Sequence, residues 1–325
     1  MGQSVCDFVL RLGYDDIPEA VLAVMRRSLL DTIGVAAIGT TTRMSQITRE
    51  YARQHMPAAV DGPASRLFFS GQRVSPMGAA MAGAFTIDSI DAHDGYSQVK
   101  GHAGSAVLPS VLAVVDDLRR QDQPVSGREF LVALVIGYEV SYRSGLTMHA
   151  TVSDYHTSGA WTAVGAAAAA GRLIGLDDGQ LRHAMGIAEY HGPRSQMMRC
   201  IDHPTMLRDG VGWGAPAGVS AAYMAQLGFT GAPAITAESE AAVPFWDDLG
   251  QRWEVNNTHY KAYPVCRWAH PAIDAVQDLM REHHISSSDI ERAQIKTFHY
   301  ATRLAGHEPK TMDELTYALA FPFAM

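Results

Sequence analysis

Apolar side chains recur every three to four residues along most of the chain, which is the spacing that places them on one face of a helix. The first such stripe, within residues 16–39, consists of Val21, Met25, Leu29 and Ile33. Asp16 stands where a helix N-cap is expected, Pro18 falls in the first turn and Gly39 ends the pattern. This segment therefore predicts an amphipathic helix that packs one face on a core.

Eight further stretches have helical periodicity or are rich in small residues. They cover residues 45–55, 75–91, 106–121, 126–148, 158–177, 177–190, 212–229 and 270–284. Ser126 and Glu129 form an S-x-x-E capping box at the start of one of them. The alanines and glycines of residues 158–177 predict a helix that approaches its neighbours closely and lies deep in the molecule.

Two segments depart from the helical pattern. Residues 65–75 are short, aromatic and bounded by turn residues, which fits a strand or an extended loop. Residues 290–300 alternate apolar and polar positions and predict a strand. A serine-rich linker precedes that strand, so we place a domain boundary near Ser286, with a mainly α, all-helical domain at 1–285 and the beginning of a mixed domain at 286–325. The last residues are apolar without a stop signal, and we expect the chain to be cut short there.

Charge and composition exclude several classes of protein. The chain has 325 residues and a net charge of -8, and no cluster of Lys and Arg suggests a nucleic-acid partner. There is no apolar run long enough for a membrane span and no secretory signal. The three cysteines Cys6, Cys200 and Cys266 lie far apart, as expected of a cytoplasmic protein without disulfides. Nucleotide-binding, metalloprotease and serine-hydrolase motifs are absent from the sequence.

Ionisable residues crowd into residues 88–106, between two apolar segments. They are Asp88, Asp91, His93, Asp94 and His102. Carboxylates at the C-terminal end of a helix are disfavoured by the helix dipole, a cost more readily tolerated in a functional site. Carboxylates, imidazoles and the amides that begin the next helix suit general acid–base work on a substrate that bears a carboxylate. A polar surface turn remains the alternative interpretation.

Three other places offer candidate groups. His156 precedes the alanine-rich helix, although Thr157 or Ser158 can simply cap that helix. Arg208 suits bidentate carboxylate binding, or alternatively an exposed ion pair. Lys261 and Cys266 precede residues 270–284; the cysteine is either a nucleophile or a small buried thiol, and no C-x-x-C partner supports a structural zinc.

The order of several segments resembles the MmgE/PrpD family, which includes 2-methylcitrate dehydratase, cis-aconitate decarboxylase and iminodisuccinate epimerase. The segments are "LLDTIGVAAIG", "IDAHDGYSQVKGHAGSAVLPSVLAV", "GYEVSYR", "YHTSGAWTAVGAAAAAGRLIGLD", "GWGAPAGVSAAYMAQLGFTGAP" and "KAYPVCRWAHPAIDA". The resemblance implies a large all-helical domain, a smaller α+β lid, a homodimer, a site in the cleft between the domains, and no metal or organic cofactor.

The resemblance also implies site residues. It places a catalytic aspartate at Asp91, catalytic histidines at His102 and His156, and a lysine that binds substrate at Lys261. We add His93 as a further substrate-binding candidate because it lies beside Asp91.

Four positions differ from the pattern of cis-aconitate decarboxylase. Gly95 replaces a threonine, Arg208 is the nearest match to a lysine, Cys266 replaces a histidine and Phe323 replaces a lid tyrosine. The last two changes remove an imidazole and a hydroxyl that can move protons or bind carboxylate. Arg208 and Cys266 are kept as substrate-binding candidates.

The sequence thus predicts a cofactor-independent lyase of the dehydratase type, a hydro-lyase that removes a proton next to a carboxylate of a small di- or tricarboxylate. His102 or His156 is the expected base, with the other as acid, and Asp91 orients one imidazole. An epimerase on the same fold and a non-catalytic dimeric homologue remain the alternatives.

Overall fold

The computed structural model describes residues 4–304, 306 and 308–325, and within them the fold is mainly α, as predicted. The helices are α1 Val5–Arg11, α2 Glu19–Gly39, α3 Arg43–His55, α4 Pro76–Asp88, α5 Gly104–Arg120, α6 Gly127–Thr151, α7 Gly159–Leu173, α8 Asp178–His191, α9 Met198–Asp202, α10 Val211–Gln226, α11 Ile235–Glu238, α12 Val243–Trp246, α13 His270–His283, α14 Met312–Thr316 and α15 Ala320–Ala324. In the same residues the one sheet is a short hairpin of β1 Ser65–Arg66 and β2 Arg73–Val74, paired antiparallel.

The start of the chain differs from the sequence prediction. Residues 5–11 form α1, for which no helix was predicted, and its side chains Phe8 and Val9 are buried. Asp16 does not cap α2: it lies in a 3₁₀ turn, where its carboxylate accepts a hydrogen bond from the backbone N–H of Gly13. Pro18 disfavours a helical backbone at the preceding residue, Ile17, and is itself the N-cap residue, so α2 begins at Glu19.

The buried face of α2 also departs from the predicted stripe. Val21 and Met25 are buried as expected, but Ile33 is exposed, and Thr32 and Val35 face the core instead. A spacing of four residues advances by more than one full turn of an α-helix, so the stripe rotates away from the core by about 40° at each step. The i, i+4 pattern therefore predicts the helix correctly but assigns the wrong residues to its buried face in the C-terminal half.

Helix α7 is the centre of the domain. It packs against α6 on one side and α10 on the other, and α10 in turn contacts α4 and α8. Every residue from Gly159 to Gly171 is buried. A Cβ at Gly165 would lie 2.3 Å from the carbonyl oxygen of Gly137 in α6, so the two backbones meet with no room for a side chain.

A buried ion pair on α6 holds residues 252–255 in place, just before the segment that contributes Lys261 to the site. Arg143 donates to Glu139 over 2.7 Å, and its guanidinium also donates to the carbonyl of Arg252. Glu139 accepts from the backbone N–H groups of Glu254 and Val255, each over 3.1 Å. Both charges are fully buried and fully paired, which is the condition under which a buried pair holds an arrangement in place.

Two further predictions were wrong: the strand at residues 290–300 and the end of the helix at residues 75–91. Residues 290–300 are not a strand: the described residues supply no neighbouring strand to pair with, and an unpaired extended segment cannot form a sheet. The helix predicted over 75–91 ends at Asp88, and Asp91 adopts a left-handed backbone with a φ of 49°. The acidic residues after Asp88 therefore lie on a loop rather than on one helical face.

Among the described residues, no helix has the length and apolar character needed to cross a membrane.

We expect Gly165→Ala to destabilise the protein by about 1–3 kcal/mol, because the added methyl group forces α6 and α7 apart. Gly34→Ala is the matched control: a Cβ there meets nothing within 4 Å, so the variant should gain about 0.5–1 kcal/mol from helix propensity. Urea unfolding of both variants measures the difference. Equal stability of the two variants would contradict the close packing.

We expect Asp88→Asn to make stability less dependent on pH. Burial raises the pKa of Asp88 to about 7, so the folded protein keeps a proton that the unfolded chain releases near pH 4, and wild-type stability falls as pH rises between these values. Relative to wild type, the variant should gain about 2–3 kcal/mol in unfolding free energy between about pH 5 and about pH 8. A pH-independent difference in denaturant titrations would refute this.

Candidate active site

The loop that connects α4 to α5 is folded around the buried side chain of Asp94. Its carboxyl group accepts a hydrogen bond from the hydroxyl of Tyr138 over 2.6 Å and another from the N–H of Gly104 over 3.2 Å. The first contact fixes the loop to α6, and the second fixes it to the start of α5. Asp94 is therefore a structural residue that holds its neighbours His93 and His102 in place.

The tautomer of His102 follows from its contacts. Nδ1 of the ring lies in a short contact with the backbone carbonyl oxygen of Asp94, and that oxygen can only accept a hydrogen bond. The proton therefore sits on Nδ1, which leaves a lone pair on Nε2. Burial, and then the neighbouring His93 and Lys261, hold the pKa of His102 well below its ordinary value, so the ring is a neutral base at physiological pH.

A buried ion pair joins this loop to the segment that follows residue 255. The ammonium of Lys261 contacts the carboxylate of Asp91 and also donates to its backbone carbonyl over 2.7 Å. Both side chains are almost completely buried. The isolated backbone bridge between Gly95 and His259 runs beside this pair. Two distant parts of the chain are thus held together at one point.

A cavity of about 140 Å³ opens at this point, which is smaller than sites that take drug-sized ligands. Three cationic side chains line it, and so do two carboxyl groups, one imidazole in addition to His102, and several aromatic rings. They are Lys100, Lys261, Arg267, Asp91, Asp209, His259, Tyr96, Tyr155, Trp268 and Tyr317. The excess of cations suits a small anion.

The two carboxyl groups of the cavity have opposite charge states. Burial alone raises the pKa of Asp91, but the ammonium of Lys261 outweighs it, and the pKa lies below its ordinary value. Burial raises the pKa of Asp209 well above its ordinary value, and the nearby carboxylates of Asp88 and Asp91 raise it further. One carboxyl group is therefore ionised and the other keeps its proton.

Arg208 lies behind the cavity wall and not on it. Its guanidinium donates to the carbonyl of Ser89 over 3.1 Å and to Asp313 over 2.7 Å, and it stacks 5.5 Å from the ring of Tyr317. Arg208 thus ties the α4–α5 loop to the segment around α14. It helps to form the wall rather than pointing into the space.

Cys266 and Tyr317 both line the cavity, and Phe323 does not. Burial raises the pKa of Cys266 to about 12, so its thiol is neutral and is a weak nucleophile. Phe323 instead lies in a second groove against α13. Tyr317 lines the cavity, but its hydroxyl oxygen is buried and has no hydrogen-bond partner among the described residues.

His93 and His156 occupy different surroundings. His93 is fully buried beneath His102, with the two rings stacked 4.1 Å apart, and it does not line the cavity. Burial, followed by the charge of Lys261, lowers the pKa of His93 to about 3. His156 is also buried, its Nδ1 faces the carbonyl of Asp154 at 2.8 Å, and its neighbour Tyr155 lines the cavity in its place.

The sequence candidates missed several residues of the cavity, among them Asp209, Tyr155, His259 and Tyr317. Asp209 was visible beside Arg208, where an ion pair with its neighbour was the simplest interpretation. Tyr155 and His259 each lie within two residues of a named candidate, so a search for polar and aromatic residues flanking each candidate would have found them. Tyr317 carries no such signal.

Asp91, His93, His102 and Asp209 each place one ligand-type atom within 4.8 Å of the others. Such a set has the composition of a divalent cation site. The positive charge that this structure provides there is the ammonium of Lys261 on Asp91, with the guanidinium of Arg208 close by. A divalent cation would have to sit beside these two buried cations, so we assign no metal to the group.

Three relatives resemble this chain over about two thirds or more of its length. Cis-aconitate decarboxylase of Aspergillus terreus is 26% identical over 304 residues, which cover 86% of this chain and 60% of that protein. Cis-aconitate decarboxylase-like protein oryM of Aspergillus oryzae is 25% identical over 312 residues, covering 86% and 61%. Cis-aconitate decarboxylase of Homo sapiens is 29% identical over 229 residues, covering 68% and 45%. The chain spans about three-fifths of the length of the Aspergillus proteins.

Two family models match the chain in the same order as its segments. The MmgE/PrpD N-terminal domain matches residues 3–246, and the MmgE/PrpD C-terminal domain matches residues 263–325. The first match ends after α12, and the second begins just after Lys261. Because these two matches cover most of the chain, the resemblance is confirmed, and the chain belongs to the MmgE/PrpD family.

Proposed function

We propose that this protein is a lyase that acts on a small di- or tricarboxylate, and that it removes water after taking a proton from the carbon next to a carboxylate. One observation carries the proposal: the lone pair of His102 Nε2 is held at a small cavity beside the ammonium of Lys261. A neutral imidazole is a suitable base, and a nearby cation stabilises the negative charge that develops when the proton leaves.

The charges of the cavity support an anionic substrate. Lys100, Lys261 and Arg267 contribute three positive charges, while Asp91 contributes one negative charge. Because Asp209 keeps its proton, the walls carry an excess of two positive charges. A dicarboxylate neutralises that excess, and its desolvation is compensated by charge-assisted hydrogen bonds.

In the proposed reaction the substrate C–H bond breaks and its proton goes to Nε2 of His102. The electron pair forms a carbon–carbon double bond as the neighbouring C–O bond breaks, and the leaving hydroxyl takes a proton to become water. Asp91 acts indirectly, since its carboxylate holds Lys261 at the cavity. The acid–base role predicted for His156 stays a prediction.

Decarboxylation is the second candidate, favoured by the relatives named cis-aconitate decarboxylase. An epimerase shares the proton abstraction and differs only in returning the proton from the opposite face. A non-catalytic homologue is disfavoured because Asp91, His102 and Lys261 meet at one cavity.

We expect His102→Asn to lower turnover by about a hundredfold or more, because the base is removed while a polar side chain is kept. Malate, citrate and cis-aconitate, incubated in heavy water and followed by NMR, report water loss, decarboxylation and exchange of the C–H proton separately. His55→Asn, on an exposed face of α3, is the matched control and should leave all rates unchanged. Full activity in His102→Asn would refute the assignment of the base.

We expect Lys261→Met to destabilise the fold by about 3–5 kcal/mol, because Asp91 is then buried without a counter-charge. The double variant Asp91→Asn/Lys261→Met should recover most of that loss and still fail to bind anions. Urea unfolding measures the first effect, and the rise in melting temperature with added citrate or succinate measures the second. A double variant that is stabilised by citrate as strongly as wild type would show that Lys261 does not bind the substrate.

A further inference from the structure

Asp209 stands where the cavity meets the buried histidine pair. It follows Arg208 and precedes Gly210, which has a φ of 70° and begins α10. Its backbone carbonyl accepts a hydrogen bond from the N–H of Gly159 over 2.8 Å, which fixes it to the start of the central helix α7. The position of its carboxyl group is therefore set by two helices rather than by a free loop.

The carboxyl group of Asp209 lies near the imidazole of His102. Its Oδ2 lies 3.7 Å from Nε2 of His102 and 3.9 Å from Nε2 of His93, both beyond hydrogen-bond length. An oxygen atom of a ligand can sit within hydrogen-bond distance of Asp209 and His102 at once, because the two groups flank one space. Only 2% of the Asp209 surface is exposed, and the residue lines the cavity, so a ligand reaches its carboxyl group from the cavity.

Among the buried carboxyl groups near the site, Asp209 lacks a hydrogen-bond donor within the described residues and also lines the cavity, whereas Asp88 lacks such a donor but does not line the cavity. Asp91 has the ammonium of Lys261, and Asp94 accepts hydrogen bonds from Tyr138 and Gly104. In the part of the chain that the structure describes, no donor makes a hydrogen bond to the Asp209 carboxyl group. An ionised carboxylate without donors costs far more free energy to bury than a neutral carboxylic acid does. Asp209, which keeps its proton, and Asp91, which is ionised, lie near the same base, His102. Such a difference in charge state indicates that the two carboxyl groups have separate roles.

We propose that Asp209 is the proton-carrying acid of the cavity and the catalytic residue that protonates the leaving hydroxyl group. In this step the substrate C–O bond and the O–H bond of Asp209 break, and the proton and the hydroxyl form water. Asp209 is left as a carboxylate, opposite the imidazolium formed on His102. Return of that proton from Nε2 of His102 to Oδ2 of Asp209 restores both groups, with no other reactant.

This inference deepens the proposed lyase function and rests on it for the identity of the leaving group. The presence of the proton does not depend on any substrate and can be measured alone. Infrared spectroscopy of wild type and Asp209→Asn, in buffer with a chelator at neutral pH, isolates the carbonyl stretch of a protonated carboxyl group in the difference spectrum. We expect that band to disappear in Asp209→Asn. It should be unchanged in the control Asp116→Asn, because hydrogen bonds from Arg66 outweigh burial and lower the pKa of that carboxyl group.

Turnover tests the transfer itself. With a substrate that wild type dehydrates, Asp209→Asn should lower kcat by about a hundredfold or more and change KM by less than about threefold. Wild-type kcat should fall at alkaline pH as the acid loses its proton, and the residual rate of Asp209→Asn should lack that limb. Asp209→Glu should keep the alkaline limb. If Asp209→Asn does not fold, Asp209→Glu is compared with Asp209→Gln, and only the glutamate variant should show the limb.

The outcomes separate the two proposals. If wild type transforms no member of the carboxylate panel, the lyase function fails, and the infrared band still decides whether Asp209 carries a proton. If the difference spectrum lacks the band, or if Asp209→Asn keeps kcat within about fivefold of wild type, the assignment of Asp209 is overturned. Loss of the band together with loss of the alkaline limb supports it.

Discussion

The contact between Lys261 and Asp91 is the interaction on which the site depends. It joins the loop between α4 and α5 to a segment about 170 residues further along the chain, and it does so where both side chains are almost completely buried. Neither charge is tolerated there alone, since an unpaired buried charge costs several kcal/mol. The pair therefore fixes the position of the cavity and also places a cation on its wall. Under the proposed function, one ammonium group serves both stability and anion binding.

The close packing of small residues in the central helices supports the loops that carry the cavity residues. Helices α6, α7 and α10 approach one another at glycines, as Gly165 and Gly218 show. The loops that meet beside the start of α7 bring in His102, Asp209 and Tyr155. The close-packed centre thus serves the site as a rigid base, which is the arrangement that holds catalytic groups to within fractions of an ångström.

Within the site, similar side chains acquire different properties from their surroundings. Asp91 is ionised because Lys261 touches it, and Asp209 keeps its proton because burial is not offset by any such contact. His102 is a base because a carbonyl oxygen fixes the proton on its other nitrogen, while His93, stacked beneath it, has no access to the cavity. No property of the isolated residue types separates these roles. The separation comes from a few contacts of 4 Å or less.

The sequence by itself determined the helical class, most of the helices and four members of the cavity, Asp91, His102, Lys261 and Cys266. Helical periodicity and local clusters of charge are properties of neighbouring residues, so they can be seen in one dimension. The strand over 290–300 failed because a strand exists only with a partner, and Asp16 failed as a cap because Pro18 shifted the start of the helix. Asp209 and Tyr317 joined the site, and Arg208 moved behind it, through contacts across more than a hundred residues. Tertiary structure alone decided those positions, since charge state and access to the cavity depend on which distant groups become neighbours.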